Sequence, residues 1–447
     1  MTNIFKSYDI RGVYPSELNE EIIEKIGHAT VIKLRAKSLA VGRDNRDSSP
    51  SLFDAFTRGA MDEGCTIIDL GLVSTPMLYF ASATLSVDGA VMITASHNPG
   101  QYNGLKICQE NAIPLGLNSG LSDIRDIMMK SNFKKDGERG NMTTRSITAD
   151  YHSFLLSFAD LHDMNFRLAF DPAHAMGVLE LPIFHQIKNI EIVGSLYDTL
   201  EAPGTCPHEA NPLNTETLEE LSLLVKEKKA DMGVAFDGDA DRVGFVDELG
   251  NPVPMDLITA IIAPEVLRRH PGATILYDLR SSRTVKEEIE AAGGIAKECM
   301  VGHANIKKHM RETGAVFAGE LSGHYYFTEN GYAAEMGALP AILIMNIMAS
   351  SGKKLSELVQ HVSRYAHSGE LNFAIKNSAA LFTITKEKYA DGKLDTLDGI
   401  KISYPNWWFS LRASNTEPLV RLNIEGDTSM ILEDKKLELL SLINLVK

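Results

Sequence analysis

Three aspartates stand at alternate positions in the run Asp237-Gly238-Asp239-Ala240-Asp241-Arg242. Carboxylates held this close repel one another unless a cation gathers them, and oxygen ligands suit a hard divalent ion. An EF-hand would place Glu248 correctly at its twelfth position, but it needs glycine where Arg242 stands, and the run before the aspartates reads as a strand. A phosphatase with Asp237 as nucleophile fits that strand better, yet leaves the third aspartate unexplained. Mg²⁺ takes few carboxylates and keeps room for phosphate oxygens, so it is the expected ion. The loop is expected to be exposed in a cleft.

A second group of residues lies at 93–104, ITASHNPGQYNG. Ser96, His97 and Asn98 follow the apolar stretch Gly89–Ile93 directly. Asn98-Pro99-Gly100 is ordinary turn chemistry, with Ser96 incidental to it. The alternative is that Ser96 is a nucleophile at the carboxyl end of a strand, where open α/β sheets place their ligands. From this stretch alone, both readings stand.

Two more polar loops follow apparent strands. In 319–324 (GELSGH), glycines flank Glu320, Ser322 and His324, and the tight backbone is expected to point all three outward toward sugar hydroxyls. In 412–418 (RASNTEP), Arg412, Ser414, Asn415 and Thr416, with Arg421 beyond, offer a guanidinium, hydroxyls and backbone N–H groups to a dianionic phosphate. Arg11, in 7–12 (SYDIRG), could simply cap a strand edge, and His303 a helix start.

The elements that must carry these loops alternate short β-branched runs with amphipathic stretches, the pattern of parallel α/β architecture. Runs at 38–44 (SLAVGRD), 167–171 (RLAFD) and 274–278 (TILYD) each read as a strand closing on a polar loop, followed by helices near 51–64, 178–187 and 283–292. Three related α/β domains with mixed sheets in series are expected. From about residue 368 the strands alternate, including 407–412 and 419–424, before a helix at 430–446, which predicts a smaller C-terminal α+β domain. Polar stretches at 134–144, 248–252 and 365–369 mark the joins, giving domains 1–142, 143–247, 248–367 and 368–447.

The 447 residues carry a formal charge of -15 and are 44% hydrophobic. That balance argues against a nucleic-acid surface, since no basic residues cluster. The four cysteines form no CxxC pair, which fits a reducing compartment and argues against zinc. Neither a signal peptide nor an apolar run of about eighteen residues is present, so a cytoplasmic protein free of membranes is expected.

Taken in order, 8–12 (YDIRG), TASHNP, DGDADR, GELSGH and RASNTEP resemble the α-D-phosphohexomutase superfamily, most closely its phosphomannomutase/phosphoglucomutase branch, over essentially the whole chain. The resemblance implies four domains around a central active-site cleft, each contributing one loop. It implies that Ser96 is a phosphoserine that exchanges its phosphoryl group with hexose 1- and 6-phosphates of mannose or glucose. A 1,6-bisphosphosugar would be both intermediate and activator, with the products feeding nucleotide-sugar and polysaccharide synthesis. Ser96, Asp237, Asp239 and Asp241 would hold Mg²⁺, with Arg242 and Lys106 neutralising phosphoryl charge. Tyr8, Arg11, His97, Asn98, Arg280, Glu320, Ser322 and His324 would line the substrate pocket, and the Arg412–Arg421 loop would hold the non-reacting phosphate. Lys106 and His303 are both candidates for proton transfer. The partners implied are small sugar phosphates, with the chain a monomer or dimer. Ala334-Glu335-Met336-Gly337, Ala173-His174-Ala175 and Val301 depart from the family pattern, which bears on sugar preference. A phosphatase using Asp237 and a non-catalytic sugar-phosphate binder are the competing functions.

Overall fold

In a computed structural model of the chain, residues 4–130, 133, 138–201, 205–375, 377–413 and 419–446 are described. They form four sheets, one per domain. The first three repeat one arrangement. In each, a central strand is parallel to a neighbour on either side, and the last of these turns back in an antiparallel hairpin.

In the first domain Ser38–Arg43 is central, parallel to Thr66–Leu72 and Gly89–Ile93, and Gly89–Ile93 pairs antiparallel with Tyr102–Gln109. In the second, Phe166–Asp171 lies between Ile190–Ser195 and Met232–Phe236, which turns back to Val243–Asp247. In the third, Thr274–Asp278 lies between Ile295–Cys299 and Phe317–Gly319, which turns back to Tyr325–Glu329. The three runs singled out in the sequence are thus the three central strands. They carry four or more consecutive buried residues, as strands covered on both faces require.

The repeat fixes where the chemistry sits. The Ser96 loop, the aspartate loop and the Glu320 loop occupy the same hairpin connection in successive domains. The fourth sheet is antiparallel throughout, and residues 414–418 connect its hairpin between Trp407–Ala413 and Leu419–Gly426. One apolar core runs from Ala40 to Val362 through the first three domains, while the C-terminal domain packs its own around Trp407, Phe409 and Leu439. Among the described residues, no helix is long and apolar enough to cross a membrane.

Some local expectations differ. The helix expected at 178–187 is a short 3-10 turn, Met176–Leu179, then a helix Leu181–Gln186, because Pro182 starts a new helix and Glu180 turns inward between them. Met142–Thr144 is a strand parallel to Thr66–Leu72, so the first sheet continues across 142/143. The turn at 248–252 is a hairpin in which Asp247 accepts from the backbone N–H groups of Leu249 and Asn251, and Pro252–Val253 still belongs to the second sheet. The C-terminal domain also holds a helix, Ser378–Lys388, that the alternation of strands did not suggest.

Candidate active site

Ser96 sits on a strained turn with φ +52°, a left-handed backbone that non-glycine residues adopt at a cost. The Thr94 hydroxyl accepts from Ser96 N at 2.9 Å, and one guanidinium gathers the carbonyls of the turn. Arg46 is 5% exposed. Its Nε donates to Asp44 Oδ2 at 3.0 Å, its NH1 to the carbonyls of Pro99 and Tyr102 at 2.9 Å, and its NH2 to those of Ser96 and Asn98 at 2.7 and 2.6 Å. A guanidinium has five N–H donors, and all of them are engaged here. The Ser96 hydroxyl donates to Asp237 Oδ2 at 2.9 Å and lies 3.2 Å from His97 Nδ1. Burial, with Arg242 and Arg11 nearby, holds the His97 ring well below its ordinary pKa, so it is neutral.

The aspartate loop packs against this turn through Gly238, where a Cβ would stand 2.2 Å from the Ser96 carbonyl oxygen. The loop is not exposed as expected: Asp237, Asp239 and Asp241 are at most 4% exposed. The first domain walls it in. Thr75 Oγ1 donates to Asp239 Oδ2 at 2.6 Å, and Lys106 Nζ donates to the same oxygen at 2.5 Å and to Asp241. Burial would strip the Lys106 proton, but Asp239 and Asp241 outweigh it and hold the ammonium charged.

One oxygen from each aspartate can lie within 4.8 Å of the others. Asp239 Oδ1 is buried and accepts no hydrogen bond; Asp241 Oδ1 accepts none either, although His324 Nε2 stands 3.2 Å away. Burial pushes Asp237 up to about 7, reinforced by Asp241 and Asp239. Burial also opposes ionisation of Asp241, but Lys106 and His324 hold it well below the carboxylate range. Carboxylate oxygens without donors, and one carboxyl pushed up by burial and by its acidic neighbours, fit a divalent cation such as Mg²⁺.

Glu320, Ser322 and His324 point inward, not outward as expected. Partners within the third domain draw Glu320 in, and Asp241 of the second domain faces His324. Glu320 accepts from Gly302 N at 2.9 Å and Tyr326 Oη at 2.6 Å, and lies 3.8 Å from Arg280. Burial would raise its pKa, but His324 and Arg280 keep it ionised. His324 joins the two halves of the site, with Nδ1 3.0 Å from Glu320 Oε2 and Nε2 near Asp241. Burial opposes its charge, but Asp241 and Glu320 raise it to about 9.

His303 opens the helix His303–Thr313, and both its ring nitrogens are buried without hydrogen-bond partners. Burial, then Lys307 and Lys106, hold it neutral. Tyr8 reaches across from the first domain, donating to the Val301 carbonyl at 3.1 Å with its ring edge on His303. Arg11 does more than cap a strand: it pairs with Asp9 at 2.8 Å and donates to Asn98 Oδ1 at 2.5 Å. Arg242 Nε lies 3.8 Å from Asp237 Oδ2.

Arg280 is held by Asp278, at 2.7 Å, and by Glu370, at 3.0 Å. Glu370 also accepts from Arg421, and Arg412 lies 3.8 Å from it. Ser414, Asn415 and Thr416 lie outside the described residues. Sequence reading missed Arg46, Thr75 and Glu370. A charged residue three positions past a strand end was the available signal for Arg46; Thr75 and Glu370 carried none.

Models of the phosphoglucomutase/phosphomannomutase family match residues 2–135 (alpha/beta/alpha domain I), 149–250 (domain II), 254–365 (domain III) and 370–440 (C-terminal domain). The chain is 39% identical to a phosphomannomutase of Methanocaldococcus jannaschii, over 98% of this chain and 97% of that protein. It is 36% identical to a protein of Xanthomonas campestris pv. campestris named phosphohexose mutases, over 98% of each. A phosphoglucomutase/phosphomannomutase family protein from Burkholderia thailandensis superposes with TM-score 0.90 at 29% identity, covering 100% of this chain and 98% of that one. The open form of Paramecium parafusin has the same fold, with TM-score 0.82 at 16% identity over 99% and 95% of the two chains.

Proposed function

This chain belongs to the phosphoglucomutase/phosphomannomutase family, and from that premise we propose that it interconverts hexose 1- and 6-phosphates of mannose or glucose through phospho-Ser96. The observation that carries the reading is the Ser96 hydroxyl, on a strained turn, hydrogen-bonded into the aspartate cluster. Serine is a weak nucleophile and its phosphate a poor donor, so exchange depends on position and charge neutralisation. Asp237, Asp239 and Asp241 would hold Mg²⁺ beside Ser96. When bound, the ion supplies positive charge to the phosphoryl oxygens.

The chain's own residues divide the remaining work. His303, neutral and with unpaired nitrogens, takes the proton from the attacking sugar hydroxyl. The new P–O bond forms on the sugar as the bond to Ser96 Oγ breaks, and the proton taken from the sugar hydroxyl is balanced by one delivered to Oγ, leaving a Ser96 hydroxyl and a 1,6-bisphosphosugar. After that intermediate turns end for end the steps run in reverse: the Ser96 hydroxyl gives up its proton as Oγ takes the second phosphate, and His303 delivers a proton to the departing sugar oxygen. Lys106, paired with Asp239 and Asp241, brings positive charge to the phosphoryl group. Arg11 and Arg242 neutralise charge on the first-domain side, and Arg412 and Arg421 hold the phosphate that does not react. Glu320 and His324 line the ring. The reading puts the enzyme in the cytoplasm, supplying precursors of nucleotide sugars.

A coupled assay with mannose 1-phosphate and glucose 1-phosphate, with and without glucose 1,6-bisphosphate, tests it. Mutase turnover that rises with the bisphosphate and is lost in Ser96→Ala is expected. Release of inorganic phosphate that survives Ser96→Ala would instead make Asp237 the nucleophile of a phosphatase.

A further inference from the structure

Glu370 stands between arginines of two domains. Its Oε2 accepts from Arg280 NH1 and its Oε1 from Arg421 NH1, each at 3.0 Å. Arg412 NH2 lies 3.8 Å from the same Oε2. The carboxylate is 9% exposed. Burial would raise its pKa, but Arg280 and Arg421 hold it below the carboxylate range.

What Glu370 leaves unpaired points to a ligand. Arg412 Nε and NH2 and Arg421 Nε are buried with no acceptor. Asp398 Oδ2, 3.8 Å from Arg412 Nε, is too far to accept. Native proteins rarely leave buried donors unsatisfied, and three beside one another on two guanidiniums suit an oxyanion that takes several N–H bonds at once. Burial opposes the charge on Arg412, with Arg280 and Arg421 adding to it against Asp398 and Glu370, so the three cations need counter-charge among them to stay together. Glu370 supplies it by engaging a terminal NH1 on each of two arginines, which leaves the Nε of Arg421 free.

We infer that Glu370 is the positioning residue of an oxyanion clamp, fixing Arg421 of the C-terminal domain against Arg280 of the third so that Arg412 and Arg421 present their unpaired N–H groups to a phosphate monoester. The inference rests on the proposed function and names the residue that assembles its phosphate site. Glu370 itself touches no substrate.

The test titrates inorganic phosphate and glucose 1-phosphate into the full chain and into Glu370→Gln and Glu370→Asp. Gln keeps the shape and removes the charge; Asp keeps the charge and is too short to span both arginines. Both variants should bind phosphate at least tenfold more weakly and raise KM for the sugar phosphate in proportion. Their kcat should change less than threefold and their melting temperature by only a few degrees. A folded variant that binds phosphate as tightly as the unaltered chain, or more tightly, makes Glu370 a bystander or a competitor and overturns the assignment. If Gln does not fold, the Asp variant decides, because it keeps the charge between the arginines. Failure of the unaltered chain to bind glucose 1-phosphate would refute the proposed function instead.

Discussion

The Ser96 hydroxyl donates a 2.9 Å hydrogen bond to Asp237 Oδ2 across 141 positions of sequence, and two domains meet at that bond. The backbones touch behind it, with Gly238 against the Ser96 carbonyl. Gly238→Ala would set a Cβ 2.2 Å from that backbone oxygen, which has no flexible end to yield. One loop must move, so kcat should fall at least 100-fold and stability by about 1–3 kcal/mol. Steady-state rates and urea melts check this; activity within threefold of the unaltered chain would show that the contact does not set the nucleophile.

Arg46→Lys keeps the charge but offers three donors where five are used. At least two of the five acceptors, four of them loop carbonyls, lose their partner, at a cost on the order of 2 kcal/mol. The Ser96 turn then relaxes, and kcat should drop far more than KM rises. Equal changes in both would assign Arg46 to substrate binding.

These two predictions also mark where sequence was informative. The central strands and the Ser96, aspartate and Glu320 loops that follow strands were legible because each is a local signal: an apolar run, then dense polar chemistry. The role of Arg46 was not, since the carbonyls it holds belong to a loop some 50 positions away. Thr75 and Glu370 were hidden for the same reason: they act on residues of other domains. The aspartate loop was read as open because nothing local says that Lys106, Thr75 and His324 close over it. Glu320 was read as pointing outward because Arg280 and Tyr326, which draw it in, appear only when the third domain folds.

Asp239→Asn removes one charge from the cluster and leaves Lys106 paired with Asp241. Mg²⁺ affinity measured by calorimetry should fall at least tenfold, with the fold retained. A chelator should abolish turnover and added Mg²⁺ restore it. Full activity in metal-free buffer contradicts the site.

Glu180 is buried where three domains meet, accepting from Ser74 Oγ at 2.7 Å and from Tyr151 Oη and Ala338 N at 3.3 Å. Burial pushes its carboxyl from 4.5 up to about 7, against those hydrogen bonds. The folded chain therefore keeps a proton that the unfolded chain releases near 4.5. This group's contribution is full at low pH, falls as pH rises through that window, and is flat above about 7. The change amounts to on the order of 3 kcal/mol. Glu180→Gln should remove that slope, gaining on the unaltered chain between about pH 5 and pH 7 in urea melts. Parallel pH profiles would contradict it.

The central claim is that Ser96 carries the phosphoryl group, and the most direct measurement is where phosphate resides after brief incubation with glucose 1,6-bisphosphate. Intact mass and peptide mapping should find one phosphate, on Ser96, discharged by excess glucose 1-phosphate or mannose 1-phosphate at the rate of turnover. An unmodified Ser96 in fully active protein, or phosphate on Asp237 in its place, would contradict the account.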